Sequence, residues 1–259
     1  MNESEIYLEN YDVISDNIKY ISNSLIRLKV LAALYDGPLN MKDLTNGTNL
    51  SYSSVSSIIH GLEVKDLVYR ESNKYYLSTS LKLEVANLLE FNVIVNLLNN
   101  FFNILDGHIV DMIPNESVFE LYMLGQANLL ESDSLDVYKI YNFIEDALTN
   151  AECVRCILPF YYPDFIEKLD ELIGNDKYVE IIVPKKVLKN YKDNSEVKYL
   201  SSYEGDHNFL LIASDKIMIL GLFKEDGYFD QNRLLTSKNE DSIKWANNLF
   251  KNFKNKWVC

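Results

Sequence analysis

The sequence predicts a two-domain chain of mixed α+β and α/β class: a small N-terminal domain, a long linking helix, and a C-terminal α/β domain on a mixed sheet. Three observations predict it. Apolar residues recur at steps of three and four through residues 24 to 62, the period of short amphipathic helices. The same steps continue from Ser80 to Asp106, longer than one layer of a small domain needs. Beyond Asp106, helical stretches alternate with short apolar runs such as Tyr178 to Val183, the pattern of strand–helix–strand units. The 259 residues suffice for two cores of on the order of 100 to 200 residues each, so domains are expected at 1–78, 79–132 (a helical linker and dimerisation region) and 133–259.

Ser24 to Tyr35 places Leu25, Leu28, Leu31 and Tyr35 at helical spacing, and Gly37-Pro38 ends the run. Asn40 is the expected N-cap of a second, short helix from Met41 to Asn46 with Leu44 inward, and Gly47 is expected to make the tight turn before Leu50. Ser51 then caps a third helix, Tyr52 to Lys65. At about 100° per residue, Val55, Ile58, Ile59 and Leu62 share one face, and Ser53, Ser56, Ser57 and His60 share the opposite one. The free face is built of small hydroxyls and has no acid before Glu63, so it can approach a duplex closely. Leu67 to Arg70 and Tyr75 to Leu77 read as a β-hairpin around a polar turn, Glu71 to Lys74.

The order helix, short helix, serine-rich helix, hairpin across Leu25 to Leu77 resembles the winged helix-turn-helix of archaeal and bacterial repressors. The resemblance implies double-stranded DNA as partner. Candidate contacts are Ser51, Tyr52, Ser53, Ser54, Ser56, Ser57 and His60 on the third helix, with Arg70, Ser72, Asn73 and Lys74 at the hairpin tip. The competing reading is a winged module that binds protein and never touches DNA.

From Ser80 to Asp106, Leu81, Leu88, Phe91, Val95, Leu98, Phe102 and Leu105 follow alternating three and four steps, a heptad seam widened by Ile94, Leu97, Phe101 and Ile104. Such a helix must be buried, either in the core of the second domain or against a second copy. A homodimer is expected through Leu88 to Leu105, because a palindromic site needs two recognition helices about 34 Å apart.

In the C-terminal part, helices are expected at Leu135 to Thr149, Asp164 to Ile173, Lys185 to Lys192 and Asp241 to Lys254. Strands are expected at Cys153 to Leu158, Tyr178 to Val183 and Val197 to Leu200, with a hairpin from Asn208 to Phe223 turning at Ser214-Asp215. Phe209 to Ala213 and Ile217 to Gly221 are apolar without alternation, so both belong in the middle of the sheet.

Pro159 to Phe165, Ser214-Asp215, Leu220 to Phe223, Asp226-Gly227-Tyr228, Trp245 and Leu249-Phe250 together resemble the methanogenesis-regulator type of archaeal transcription factor. The likeness spans Leu25 to Lys256 and implies a DNA-binding regulator with a middle α/β domain. The chain departs from it at Tyr228-Phe229-Asp230 and Trp245-Ala246, which puts a shared ligand in question.

The net charge of −13 opposes a nucleic-acid partner until it is divided along the chain. Residues 1–21 carry one basic and five acidic side chains, 22–77 six and five, and 78–259 eighteen and twenty-eight, or −4, +1 and −10. The acid lies mostly outside the candidate interface. Three cysteines form no disulfide framework and fit a reducing cytoplasm, and the acidic start lacks a signal-peptide pattern. Phe91 to Leu105 is too short and too rich in Asn to cross a membrane.

Enzymatic chemistry is not expected. Cys153 and Cys156, three apart on a strand, point to opposite faces and cannot share a metal. The His-x-Lys of phospholipase D-like sheets is absent at His207, and no glycine spacing cradles phosphate. No cofactor or metal is expected. The α/β domain is read as a sensor whose pocket for a small effector would lie beyond the strand C-termini, at Pro159, Tyr161, Tyr162 and Lys185.

Overall fold

The computed structural model describes residues 19–149, 151–205 and 209–258. The chain forms two compact units, residues 1–92 and 93–259.

The described part of the first unit holds helices α1 (Leu25–Tyr35), α2 (Met41–Thr48) and α3 (Tyr52–Glu63), then the hairpin strands β1 (Val68–Glu71) and β2 (Lys74–Leu77). Each helix starts at the residue its chemistry favours. Ser24 accepts from the Arg27 N–H, Asn40 from Asp43 and Ser51 from Ser54, each satisfying a donor that a helix start leaves unpaired. One core unites them: Val30, Leu31, Leu34, Leu44, Val55, Ile59, Leu62, Val68, Tyr75 and Leu77 are buried together. Burial of each aliphatic side chain contributes about 1.5 to 3 kcal/mol, which fixes the rotation of every helix about its axis.

Two local expectations are corrected. The second helix runs through Gly47, and the left-handed residue that turns the chain is Asn49 (φ 56°). The helix runs two residues further than expected, with the Thr48 hydroxyl donating to the Leu44 carbonyl, and asparagine tolerates the left-handed region almost as glycine does. The hairpin turn is the two-residue Ser72-Asn73, with Glu71 and Lys74 paired across the ladder; both turn residues have positive φ (46° and 67°), the geometry that matches strand twist.

Helix α4 (Thr79–Asn100) follows. Leu81 and Val85 belong to the core of the first unit and Leu97 to that of the second, while Phe91 and Leu98 are 59% and 42% exposed.

The second unit continues with α5 (Phe102–Leu105), β3 (His108–Ile109), α6 (Asn115–Phe119), a 3-10 turn (Leu121–Leu124), β4 (Asn128–Glu131), α7 (Lys139–Thr149), β5 (Cys153–Ile157), α8 (Pro163–Gly174), β6 (Tyr178–Pro184), α9 (Lys185–Asn194) and β7 (Tyr199–Tyr203). It ends with β8 (Leu210–Ser214), β9 (Met218–Gly221), β10 (Phe223–Lys224), β11 (Arg233–Ser237) and α10 (Glu240–Trp257). A seven-stranded mixed sheet has the order β4-β11-β9-β8-β5-β6-β7. β5, β6 and β7 are parallel and joined through α8 and α9; the remaining neighbours are antiparallel. β8 and β9 are buried at every residue in the middle of the sheet, as their unbroken apolar runs require.

Side chains of α7, α8 and α9, among them Ile144, Phe165, Leu169 and Tyr191, cover one face with Val154, Cys156, Ile181 and Val183 beneath them. Trp245, Leu249, Phe250 and Phe253 of α10, with Phe101 and Ile104, cover the other face over Ile157, Ile182 and Leu211. The result is a three-layer α/β/α unit.

Helix α7 begins four residues later than expected. The Asp133 carboxylate accepts from the N–H groups of Leu135 and Asp136 and holds that stretch in a turn, leaving Leu135 96% exposed.

Candidate nucleic-acid interface

Helix α3 presents two chemically different faces. Val55, Ile59 and Leu62 are fully buried, whereas Tyr52, Ser53, Ser57 and His60 are exposed and Ser54, Ser56 and Ile58 are half-buried. At the N-terminus the hydroxyls are already organised: Ser51 Oγ lies 3.0 Å from Ser53 Oγ and 2.8 Å from Ser54 Oγ. Ser51 and Ser54 are therefore occupied in capping, Ser53 shares its hydroxyl with Ser51, and the outward surface is Tyr52, Ser53, Ser57 and His60 with part of Ser56. The helix is anchored from behind, because the Tyr20 hydroxyl donates to the Gly61 carbonyl at 3.0 Å. Arg27 and Lys65 lie over the same ring, 4.1 and 4.5 Å from its centroid, and Arg27 also donates to the Tyr20 carbonyl. Tyr20 was not singled out in the sequence, since a lone tyrosine in an acidic stretch carries no periodic signal.

At the hairpin, Arg70, Ser72, Asn73 and Lys74 are all exposed. Arg70 Nη2 donates to Asn73 Oδ1 at 2.5 Å, and its guanidinium lies 5.6 Å from the Tyr75 ring centroid. Tyr69 and Tyr76 stack at 5.3 Å and 12° on the ladder. Tyr75 also donates its N–H to the Leu39 carbonyl at 2.8 Å, tying the hairpin to the segment before α2. The exposed groups are hydroxyl, imidazole, guanidinium and ammonium, able to donate to phosphate oxygens and base edges.

The four residues proposed for an effector lie at the end of the sheet where β5 and β6 finish, and packing accounts for their surroundings. Pro159 is buried. Tyr161 meets Tyr191 edge-on at 5.4 Å, Tyr162 meets Phe165 at 4.6 Å and Tyr141 at 5.0 Å, and Tyr191 donates to the Phe160 carbonyl at 2.8 Å. Lys185 pairs with Glu204. Burial, with Asp164 as hydrogen-bond partner, pushes the Tyr162 hydroxyl up to about 12.

Cys153 is half-buried and Cys156 fully buried, with Val154 and Cys156 in one core and Ile157 in the other, so the two thiols face opposite sides of β5. Burial raises the Cys156 thiol far above its ordinary range, which disfavours the thiolate. His207 and Cys259 lie outside the described residues. Among the described residues no group of three or more His, Cys, Asp or Glu could hold a metal, and no helix is long and apolar enough to cross a membrane.

Two family models match. "Methanogenesis regulatory protein FilR1, N-terminal domain" matches residues 15–96, and "Methanogenesis regulatory protein FilR1, middle domain" matches residues 137–256. A relative, methanogenesis regulatory protein FilR1 of Methanothrix harundinacea (strain 6Ac), is 19% identical over 247 residues. The match covers 90% of this chain but 55% of that protein, so the chain spans about half the length of the relative. Among solved structures, the archaeal chromatin protein TrmBL2 is similar over 93% of this chain and 96% of its own, at 12% identity and a TM-score of 0.41. NucT from Helicobacter pylori is similar over 51% of this chain and 97% of its own, at 15% identity and the same TM-score of 0.41. Similarity that low bears on neither fold nor function.

Proposed function

The chain belongs to the FilR1 type of archaeal methanogenesis regulator, and from that premise we propose that it is a sequence-specific DNA-binding transcriptional regulator acting as a homodimer. In this reading α1, α2 and α3 with the β1–β2 hairpin act as a winged helix-turn-helix, and α3 enters the major groove. The observation that carries it is the chemical division of α3: an aliphatic face sunk in the core, and a free face of Tyr52, Ser53, Ser57 and His60 that meets no carboxylate before Glu63 at the helix end. Arg70 and Lys74 at the hairpin tip supply the phosphate contacts beside it.

The homodimer reading is supported by α4, where Leu83, Phe91 and Leu98, interleaved with Glu84, Asn87 and Glu90, are 64%, 59% and 42% exposed. A stripe of this kind on a helix rich in Leu and Phe is stabilised by a second copy of itself, which also sets the spacing of two recognition helices. The second unit is read as the sensor of a small ligand that changes DNA affinity.

The charge of the chain favours one rival reading, a winged module that binds protein only, because residues 22–77 carry a net charge of +1. A mobility-shift assay on the DNA upstream of the chain's own gene separates the two. A specific, salt-sensitive shift supports the regulator; no shift at low salt overturns it.

A further inference from the structure

Helix α3 ends with a carbonyl that its own backbone leaves open. A continuing helix would give the Lys65 N–H to Gly61, but that N–H donates to the Leu62 carbonyl at 3.3 Å, and the Leu67 N–H donates to Leu62 as well, at 3.0 Å. Asp66, at φ 56°, turns the chain out of the helix. The Gly61 carbonyl is taken instead by the Tyr20 hydroxyl, which donates to it at 3.0 Å from a position 41 residues earlier in the chain. Tyr20 belongs to a helical turn, residues 19–22, whose Ile21 is buried in the same core as Leu62. Its ring is held in turn. The Arg27 guanidinium of α1 and the Lys65 ammonium lie 4.1 and 4.5 Å from the ring centroid, and Arg27 also donates to the Tyr20 carbonyl. One side chain thus joins the turn before α1, α1 itself and the end of α3.

The turn held in this way carries His60. That residue is exposed, stands one position before the closed carbonyl, and accepts the Val64 N–H on its own carbonyl at 3.0 Å. The start of α3 is fixed by the Ser51 cap, whereas a helix end whose last carbonyls lack donors frays. We propose that Tyr20 is a positioning residue for DNA recognition: by closing the Gly61 carbonyl it holds the last turn of α3, and with it the direction of His60. This deepens the DNA-binding reading of α3 and rests on it. Tyr20 acts through His60 and not by touching the duplex.

The test is Tyr20→Phe in the full chain, which removes the hydroxyl and keeps the ring beneath Arg27 and Lys65. Amide hydrogen exchange of the free protein should rise at least about tenfold at Val64, Lys65 and Leu67, while Val55, bonded to Ser51 in the first turn, is unchanged. On the DNA upstream of the chain's own gene, specific affinity should fall about tenfold, while affinity for unrelated DNA and the salt slope hold because Arg70 and Lys74 are untouched. His60→Ala should lower specific affinity about as much, and the double variant should bind no more weakly than His60→Ala alone, since both changes remove one contact. A bond that served stability alone would lower the melting temperature and leave the specific affinity of the folded chain where it was. Exchange that is unchanged in the last turn, or raised equally along α3, would overturn the proposal. So would undiminished specific affinity in Tyr20→Phe, or losses that add in the double variant. Absence of a specific shift by the unsubstituted chain would sink the regulator reading and the role in recognition with it, and the exchange result would still decide whether Tyr20 holds the turn.

Discussion

Arg70 and Asn73 are joined across the tip of the β1–β2 hairpin, Nη2 to Oδ1 at 2.5 Å, by a turn only two residues long. The contact holds the guanidinium at the tip, where the proposed interface puts the phosphate backbone. Arg70→Ala should weaken binding to specific and nonspecific DNA alike. It should also reduce the slope of log affinity against log salt by about one unit, as expected for one lost phosphate contact. Fluorescence anisotropy across a salt series reads both quantities, and an unchanged slope would remove Arg70 from the interface.

Capping and contact are separable on α3. Ser51 accepts from the Ser54 N–H, whereas Ser53 is exposed. Ser51→Ala should cost about 1 kcal/mol of stability, seen as a lower denaturant midpoint, and Ser53→Ala should cost almost nothing. Equal costs would mean that Ser53, and not Ser51 alone, holds the helix start.

The exposed apolar side of α4 carries the association prediction. Phe91→Glu with Leu98→Glu should convert a dimer to a monomer in sedimentation and lower affinity for a two-fold site by roughly a hundredfold through lost avidity. A wild-type chain that sediments as a monomer at micromolar concentration, and stays one on DNA, would contradict the homodimer.

Glu180 predicts the acid behaviour of the second unit. Burial alone would raise its carboxyl, but hydrogen bonds from Lys254 and Tyr178 and the charges of Lys254 and Arg155 outweigh that and hold it below its ordinary 4.5. A carboxyl lowered in the folded state contributes stability that is present above the unfolded value and lost as pH falls through the folded one. Glu180→Gln should therefore lower stability at neutral pH and flatten its decline below about pH 4.5. Thermal melts from pH 7 to pH 3 test this; parallel curves for the two proteins would count against it.

How far the sequence revealed the fold depended on whether the signal was local. Asn40 and Ser51 announced their helices because a cap and the helical period are written within a few residues. β8 and β9 were readable because strands buried on both faces need continuous apolar runs. β4 and β11 were not foreseen: Asn128–Glu131 is a half-exposed edge strand, and Arg233–Ser237 ends in buried Thr236 and Ser237, whose burial depends on Gln126 and Asn128 carbonyls over a hundred residues away. The hydroxyl face of α3 was legible from helical spacing alone. The Tyr178–Tyr199 ring contact was not, since it exists only where two parallel strands bring residues of distant sequence together.

The central claim is that the free side of α3 lies against a duplex. Ser53→Glu with Ser57→Glu places two carboxylates on that side without touching Val55, Ile59 or Leu62. Affinity for the upstream DNA should fall by at least about a hundredfold while the melting temperature holds. Undiminished, sequence-specific binding by the doubly substituted chain would contradict the account.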